Sequence, residues 1–571
     1  MTLAVLLNTL TLCLLGQQPY DLILKGGRIV DGSGNPWYRA DIGVRAGRIA
    51  TIGNLTKAAA RRTIALNGEM VAPGFIDMMG TNSIPLLLDP ASGDSKLRQG
   101  ITTIMAGEGQ SAAPMTPDIF PADIARAGYK WSTYADYHAL LARKGLPLNV
   151  VHNVGAAQIR RAVIGEEDRL PTPAELDRMR QLVRKAMADG AVGLSTALIY
   201  PPGTYAKTEE LVELAKATAA WGGFYSTHMR NESSQVLHAI RESIEIGEKA
   251  GVPVHIYHLK AAGEENWPLM SRAIALINDA RRRGLDVTAD IYPYIRNGIG
   301  LRSFIPPHHY AKGLKPFFAT LREPQVRAAL RKEIETDRDW ENWYQHVGRN
   351  WDNVLVAQLP AREDKLLEGK SVAEIARIWL KDDWDAFFDL VLRDANVNPK
   401  SMNEEQKHMA LRTEWVSFCT DAPPANIETA TGAHPRAFGS FPRILAKYVR
   451  EEKVISVEAA IRKMSSLAAN RLRLLDRGRI APGMAADLVV FDPDRVQDKA
   501  SFTKPLAFPE GLPYVIVNGV VAIDQDKSTG ARAGKVLKPL LAAAPATQKP
   551  AAPKPATPAP AKRLATPAEQ Q

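Results

Sequence analysis

From residue 73 to residue 421 the chain alternates short apolar runs with amphipathic stretches, and that alternation admits few architectures. PGFID (73–77), ITTIMAG (101–107), LNVVHNVG (148–155), AVGLSTALIY (191–200), GGFYSTH (222–228), VPVHIYH (252–258), LDVTADIYPY (285–294), NVLVAQL (353–359) and EWVSFCTD (414–421) read as strands. Between them, segments such as TEELVELAKATAAWG and SSQVLHAIRESIEIGEKAG place apolar residues at helical spacing. The strands number eight or nine, and each strand-helix unit is long enough for a parallel crossover. The expectation is an α/β fold, a (β/α)8 TIM-like barrel over 73–474, with an open doubly wound sheet as the alternative. The stretch from about 310 to 410, rich in Trp and charge, is more helical than barrel units require and reads as an insertion.

Both flanks have a different texture. YDLILKGGRIVDGSG, ADIGVRAGRIATIG and RTIALNGEMVAP are short alternating strands joined by turn residues. RGRIAPGMAADLVVFDP (477–493) and LPYVIVNGVVAIDQ (512–525) repeat that texture. Neither piece suffices for a core, so residues 19–72 and 475–538 are expected to build one small β-sandwich from both ends. The first 18 residues, MTLAVLLNTLTLCLLGQQ, have an h-region too short to span a bilayer. They are expected to be a signal peptide for export to the periplasm or beyond. Residues 539–571 are rich in Pro and Ala and poor in large apolar side chains, which predicts a disordered tail.

Composition mostly removes options. Cys13 and Cys419 are the only cysteines, which excludes a disulfide framework and a cysteine-built zinc cluster. The net charge of +10 is spread along the chain without interleaved aromatics. That argues against a nucleic-acid partner and suits a small anionic substrate.

In a parallel barrel the reactive groups gather at the C-terminal ends of the strands. Here those ends carry His228, His258 with Lys260 just beyond, Asp421, Glu108 in GEGQS, and Tyr200 before two prolines. Two imidazoles and a carboxylate on neighbouring strands suit one zinc with a position left for water. A separate aspartate suits proton transfer to a leaving nitrogen. His255 lies in the opposite phase to His258 and is assigned to packing.

THMRNE (227–232), the HLKAAG after Tyr257, TADIYPY (288–294), YPPG (200–203), HPRAFG (434–439) and RGRIAPGMAADLVVFDP resemble the N-acyl-D-amino-acid deacylases of the amidohydrolase superfamily. The resemblance runs from about Tyr20 to about Leu537. It implies a metal-bearing barrel beside a sandwich, and a small N-acyl amino acid as substrate. It also implies that His228 and His258 hold zinc, and that Asp421 is the acid/base. Tyr200, Lys260 and Arg436 would grip the substrate carboxylate. Two departures stand out. Where the family has PGFIDxHxH this chain has Met79 and Thr81, and where it has a cysteine in GNCG this chain has Glu108 in GEGQ. A thioether and a threonine hydroxyl compete poorly for zinc, so one zinc per chain is expected, held by Glu108, His228 and His258. The alternatives are a degenerate barrel that binds without hydrolysing, and a hydrolase of cyclic amides or esters.

Overall fold

The computed structural model describes residues 19–310, 313–337, 340–430 and 434–539. The expected leader, and all but the first residue of the expected tail, lie outside the described residues. At the N-terminal end, β1 (Tyr20–Ile29) pairs antiparallel with β2 (Tyr38–Arg45), which pairs with β3 (Arg48–Gly53). The first half of β1 lies beside β4 (Ala60–Ala65), and its end lies beside β5 (Met70–Pro73). The register shift between Leu24 and Gly27 lets one strand serve two partners. Gly27 fits there because a Cβ would come within 2.7 Å of Val71 Cγ2.

The barrel follows. β6 (Phe75–Asp77), β7 (Ile101–Ala106) and β8 (Asn149–His152) are parallel neighbours. After a break at Asn153 the third stave resumes as β9 (Val154–Gly155). It pairs with β10 (Gly193–Ala197), followed by β11 (Phe224–His228), β12 (Val254–Ile256) and β13 (Val287–Ile291). These strands are buried on both faces, which is why they read as continuous apolar or small-residue runs. The outer helices are cleanly bounded. Pro173–Asp189 opens on a Thr172/Glu175 capping box and ends at left-handed Gly190.

Between the seventh and eighth staves lies a separate unit. β14 (Ile299–Gly300), β15 (Val354–Gln358) and β16 (Asn396–Pro399) form an antiparallel sheet over Phe304, Trp343, Trp351 and Phe387. NVLVAQL is therefore β15 of this unit and not a stave, which corrects its assignment to the barrel series. A buried strand has the same apolar signature in either sheet, so periodicity could not separate them. β17 (Val416–Phe418) is the eighth stave: it pairs with β13, and Met78 N donates to Phe418 O at 3.3 Å to close the ring.

The C-terminal end returns to the flanking domain. β18 (Leu488–Phe491) pairs with β5, then β19 (Tyr514–Val517), β20 (Val520–Asp524) and β21 (Lys527–Ser528) extend the nine-stranded sheet. Leu22, Ile42, Val71, Leu488 and Ile516 share its core, so the sandwich holds residues from both ends. Beyond it the chain passes along β8. Val150 N donates to Lys535 O, and Leu537 N donates to Val150 O. Residues 535–537 thus fill the wall where β8 gives way to β9.

Candidate active site

Glu108, His228 and His258 converge at the C-terminal end of the barrel. Glu108 sits between Gly107 (φ 108°) and Gly109 (φ 66°), and a Cβ on either glycine would approach neighbouring backbone to 2.6 Å. Only glycine permits the tight turn that turns this carboxylate inward. Glu108 Oε1 lies 3.0 Å from His228 Nδ1 and 3.7 Å from His258 Nε2. The three ligand atoms all fall within 4.8 Å of one another. Burial raises the Glu108 carboxyl, but hydrogen bonds from His228 and His258 outweigh it and hold the group at about 2. Two nitrogens and an ionised oxygen are a donor set suited to zinc. His228 Nε2 is buried and has no hydrogen-bond partner among the described residues, with Glu232 Oε2 3.6 Å away.

His258 is held by its neighbours. Its φ is +34°, a strained value for a residue with a side chain, and its N–H donates to Asp290 Oδ1 at 2.6 Å. Asp290 also binds His255 Nε2 at 2.9 Å, so His255 supports the site without entering it. Glu232 Oε1 stands 2.9 Å from His258 Nδ1 and 2.6 Å from Lys260 Nζ. A carboxylate on the far ring nitrogen fixes the tautomer of a ligating imidazole and makes it a better donor. Glu232 was not singled out from sequence. It lies four residues beyond His228 in a loop, and its signal was its place in THMRNE.

Asp421 follows β17 with φ +49° and is flanked by pinned residues. Thr420 N and Oγ1 donate to the two carboxylate oxygens of Asp77 at 2.9 and 2.6 Å. Lys96 Nζ donates to Asp77 Oδ2 at 3.0 Å, to Thr420 Oγ1 at 2.5 Å and to Ala422 O at 2.7 Å. Both Lys96 and Asp77 are fully buried. Burial raises the Asp421 carboxyl, and Arg436, whose Nη1 lies 2.5 Å from Oδ2, opposes that rise.

The structure brings Tyr200, Lys260 and Arg436 to one 240 Å³ cleft with Glu108, His228, His258 and Asp421. Lys260 and Arg436 are already paired, with Glu232 and Asp421 respectively. The Tyr200 ring meets His228 edge-on at 5.6 Å. Tyr292 was also passed over in sequence. Its ring lies 4.9 Å beneath the Arg436 guanidinium, and its buried hydroxyl has no hydrogen-bond partner among the described residues. Met79 is buried among Met78, Met105 and Tyr257 in an apolar cluster. Thr81 lines the cleft with φ +51°.

A buried acid links the cleft to the inserted unit. Glu341 accepts from Glu232 N at 3.2 Å and from Ser233 Oγ at 3.4 Å. Burial, reinforced by the Glu232 charge, pushes its carboxyl up to about 8 from an ordinary 4.5. A carboxyl whose folded pKa is raised stabilises fully below its unfolded value and loses that contribution as pH rises through the folded one. The expected result is that wild-type melting temperature falls between pH 4.5 and 8 relative to Glu341→Gln, which lacks this titration. Parallel pH dependences of the two proteins in thermal unfolding would contradict it.

Two larger cavities meet the central cleft. One, of 910 Å³, shares Asp421, Arg436 and Trp343 with it. The other, of 730 Å³, joins it through Thr81, Glu108 and Tyr200.

Residues 62–523 match the model of the Amidohydrolase family. The chain is 34% identical to a D-aminoacylase of Alcaligenes xylosoxydans xylosoxydans over 526 residues, covering 91% of this chain and 98% of that one. It is 33% identical to an N-acyl-D-glutamate deacylase of the same organism, covering 91% and 97%. A solved N-acyl-D-glutamate deacylase from Bordetella bronchiseptica, bound to zinc and a phosphonate inhibitor, superposes with a TM-score of 0.76 at 31% identity, covering 91% of this chain and all of that one. A D-aminoacylase structure with a binuclear metal centre, described as activated by one metal and attenuated by the second, gives the same TM-score, identity and coverage.

Proposed function

The chain belongs to the amidohydrolase family, and from that premise we propose that it hydrolyses the amide bond of N-acyl-D-amino acids with a single zinc per chain. The observation that carries this reading is the Glu108–His228–His258 donor set, which lines one cleft with Asp421 and two cationic side chains. Zinc bound there supplies Lewis-acid polarisation and lowers the pKa of water towards neutrality. Relatives that act on N-acyl-D-amino acids, at 33–34% identity over nearly their whole length, support the substrate class.

In this reading Asp421 takes a proton from the attacking water and delivers it to the departing amine nitrogen. Its raised pKa suits it to hold that proton between the two steps. Arg436 and Lys260 receive the substrate carboxylate, with Tyr200 at the cleft wall. Glu232 holds His258 in the orientation a ligand needs. The buried methionine at 79 and the threonine at 81 are poor ligands for a second zinc.

Metal analysis of protein purified without chelator should return one zinc per chain, and Glu108→Ala should lower zinc occupancy. Zero or two equivalents in the wild type would overturn the single-zinc reading. Assays on N-acetyl-D- and N-acetyl-L-amino acids with the same sample should show turnover of the D series. Failure on every member of that series would overturn the substrate assignment.

A further inference from the structure

We propose that the 730 Å³ cavity beyond Thr81 and Glu108 receives a long-chain N-acyl group, so that N-fatty-acyl D-amino acids are the preferred substrates. The proposal rests on the amide-hydrolase reading above and extends it to the acyl half of the substrate. The cleft opens into two cavities that share Gln110, Arg161, Glu166, Tyr200 and Pro201 along a common edge, and only one of them reaches Arg436. The exit shared with the 910 Å³ cavity carries Arg436, so the carboxylate of the amino-acid half belongs on that side. The acyl half then leaves through the neck formed by Thr81, Glu108 and Tyr200.

The chamber behind that neck suits an uncharged chain. Ile84, Ala112, Met115, Ile119 and Pro121 contribute to its lining. Its more buried polar groups are satisfied within the protein, while Asn82, Gln110 and Asp118 are exposed at its rim. Ser111 Oγ donates to Ala113 O at 2.6 Å, Gln158 Nε2 donates to Pro114 O at 2.8 Å, and Arg161 pairs with Glu166 at 2.5 Å. A polar or charged ligand would find few unpaired partners there, whereas an alkyl chain loses nothing by displacing water. The volume lies within the range of pockets that enclose ligands much larger than an acetyl group. Thr81 is the residue that keeps the neck open: a ring at that position would project where its short side chain now lines both spaces.

The test is calorimetric binding of N-acetyl- and N-octanoyl-D-methionine to the zinc-loaded Asp421→Asn protein. The octanoyl ligand should bind at least roughly 30-fold more tightly, a gain that burying only two or three of its six additional methylenes already supplies at about fourfold each. Met115→Trp and, independently, Ile119→Trp in the same background should each reduce that preference to about threefold or less while leaving acetyl binding unchanged. Equal affinity for the two ligands would overturn the proposal, as would a preference untouched by both tryptophans when acetyl binding is preserved. Turnover of N-acetyl-D-methionine by the wild type reports separately on the hydrolase reading. Its absence would count against that reading and leave the acyl cavity to be decided by binding.

Discussion

Asp421→Asn should lower kcat for amide hydrolysis by roughly 10²- to 10⁴-fold while the protein keeps its zinc. Asparagine preserves shape and tolerates the left-handed backbone that Asp421 adopts. It cannot accept the proton of the attacking water. The zinc donor set does not include Asp421, so metal content should match the wild type. The ion pair to Arg436 is lost, and KM is expected to change less than kcat because Lys260 and Arg436 remain in the cleft. The measurements are steady-state kinetics and metal analysis on one preparation. Wild-type activity in the variant would move proton transfer to another group.

The second large effect is expected directly behind Asp421, at a buried ion pair that does not line the cleft. Lys96→Met should cost about 3–5 kcal/mol of stability, because it strands the buried Asp77 carboxylate without its cation. Asp77→Asn introduced alongside should recover part of that loss, since the stranded charge is then gone. The pair also sets the backbone around Asp421, through Thr420 on one side and Ala422 on the other. Thr420→Val, which keeps shape but removes the hydroxyl, should therefore reduce kcat with zinc retained, and Thr420→Ser should restore it. Denaturant unfolding reads the first effect and kinetics the second. A Lys96→Met protein as stable as the wild type would show that this ion pair does not hold the loop.

The sequence made the barrel legible because fully buried staves announce themselves as continuous apolar runs ending in a polar group. His228, His258 and Asp421 were visible for that reason. The two flanking pieces could be joined because each was too small to stand alone. Other features were hidden by physics that a linear reading does not carry. Glu232 and Tyr292 contact the site through a ring nitrogen and a ring face, and although Tyr292 directly follows β13, a tyrosine there reads as ordinary packing. Lys96 looks like any surface lysine until folding places it against Asp77. NVLVAQL has the signature of a stave but pairs with β16. The resemblance implies that Arg436 grips the substrate carboxylate, and its pairing with Asp421 arises only from the tertiary fold.

The wall segment at residues 535–537 also dictates when this protein can exist. β5 finds its second partner, after β1, only once β18 has been made, the ring closes only with β17, and Val150 waits for Lys535 and Leu537. A ribosome-bound nascent chain thus carries its open wall and unpaired strand edges until nearly the last described residue has emerged. Contacts of such sequence separation slow folding and leave intermediates exposed to aggregation. Truncation before residue 535 is expected to leave Val150 without both of these backbone partners and to lower stability.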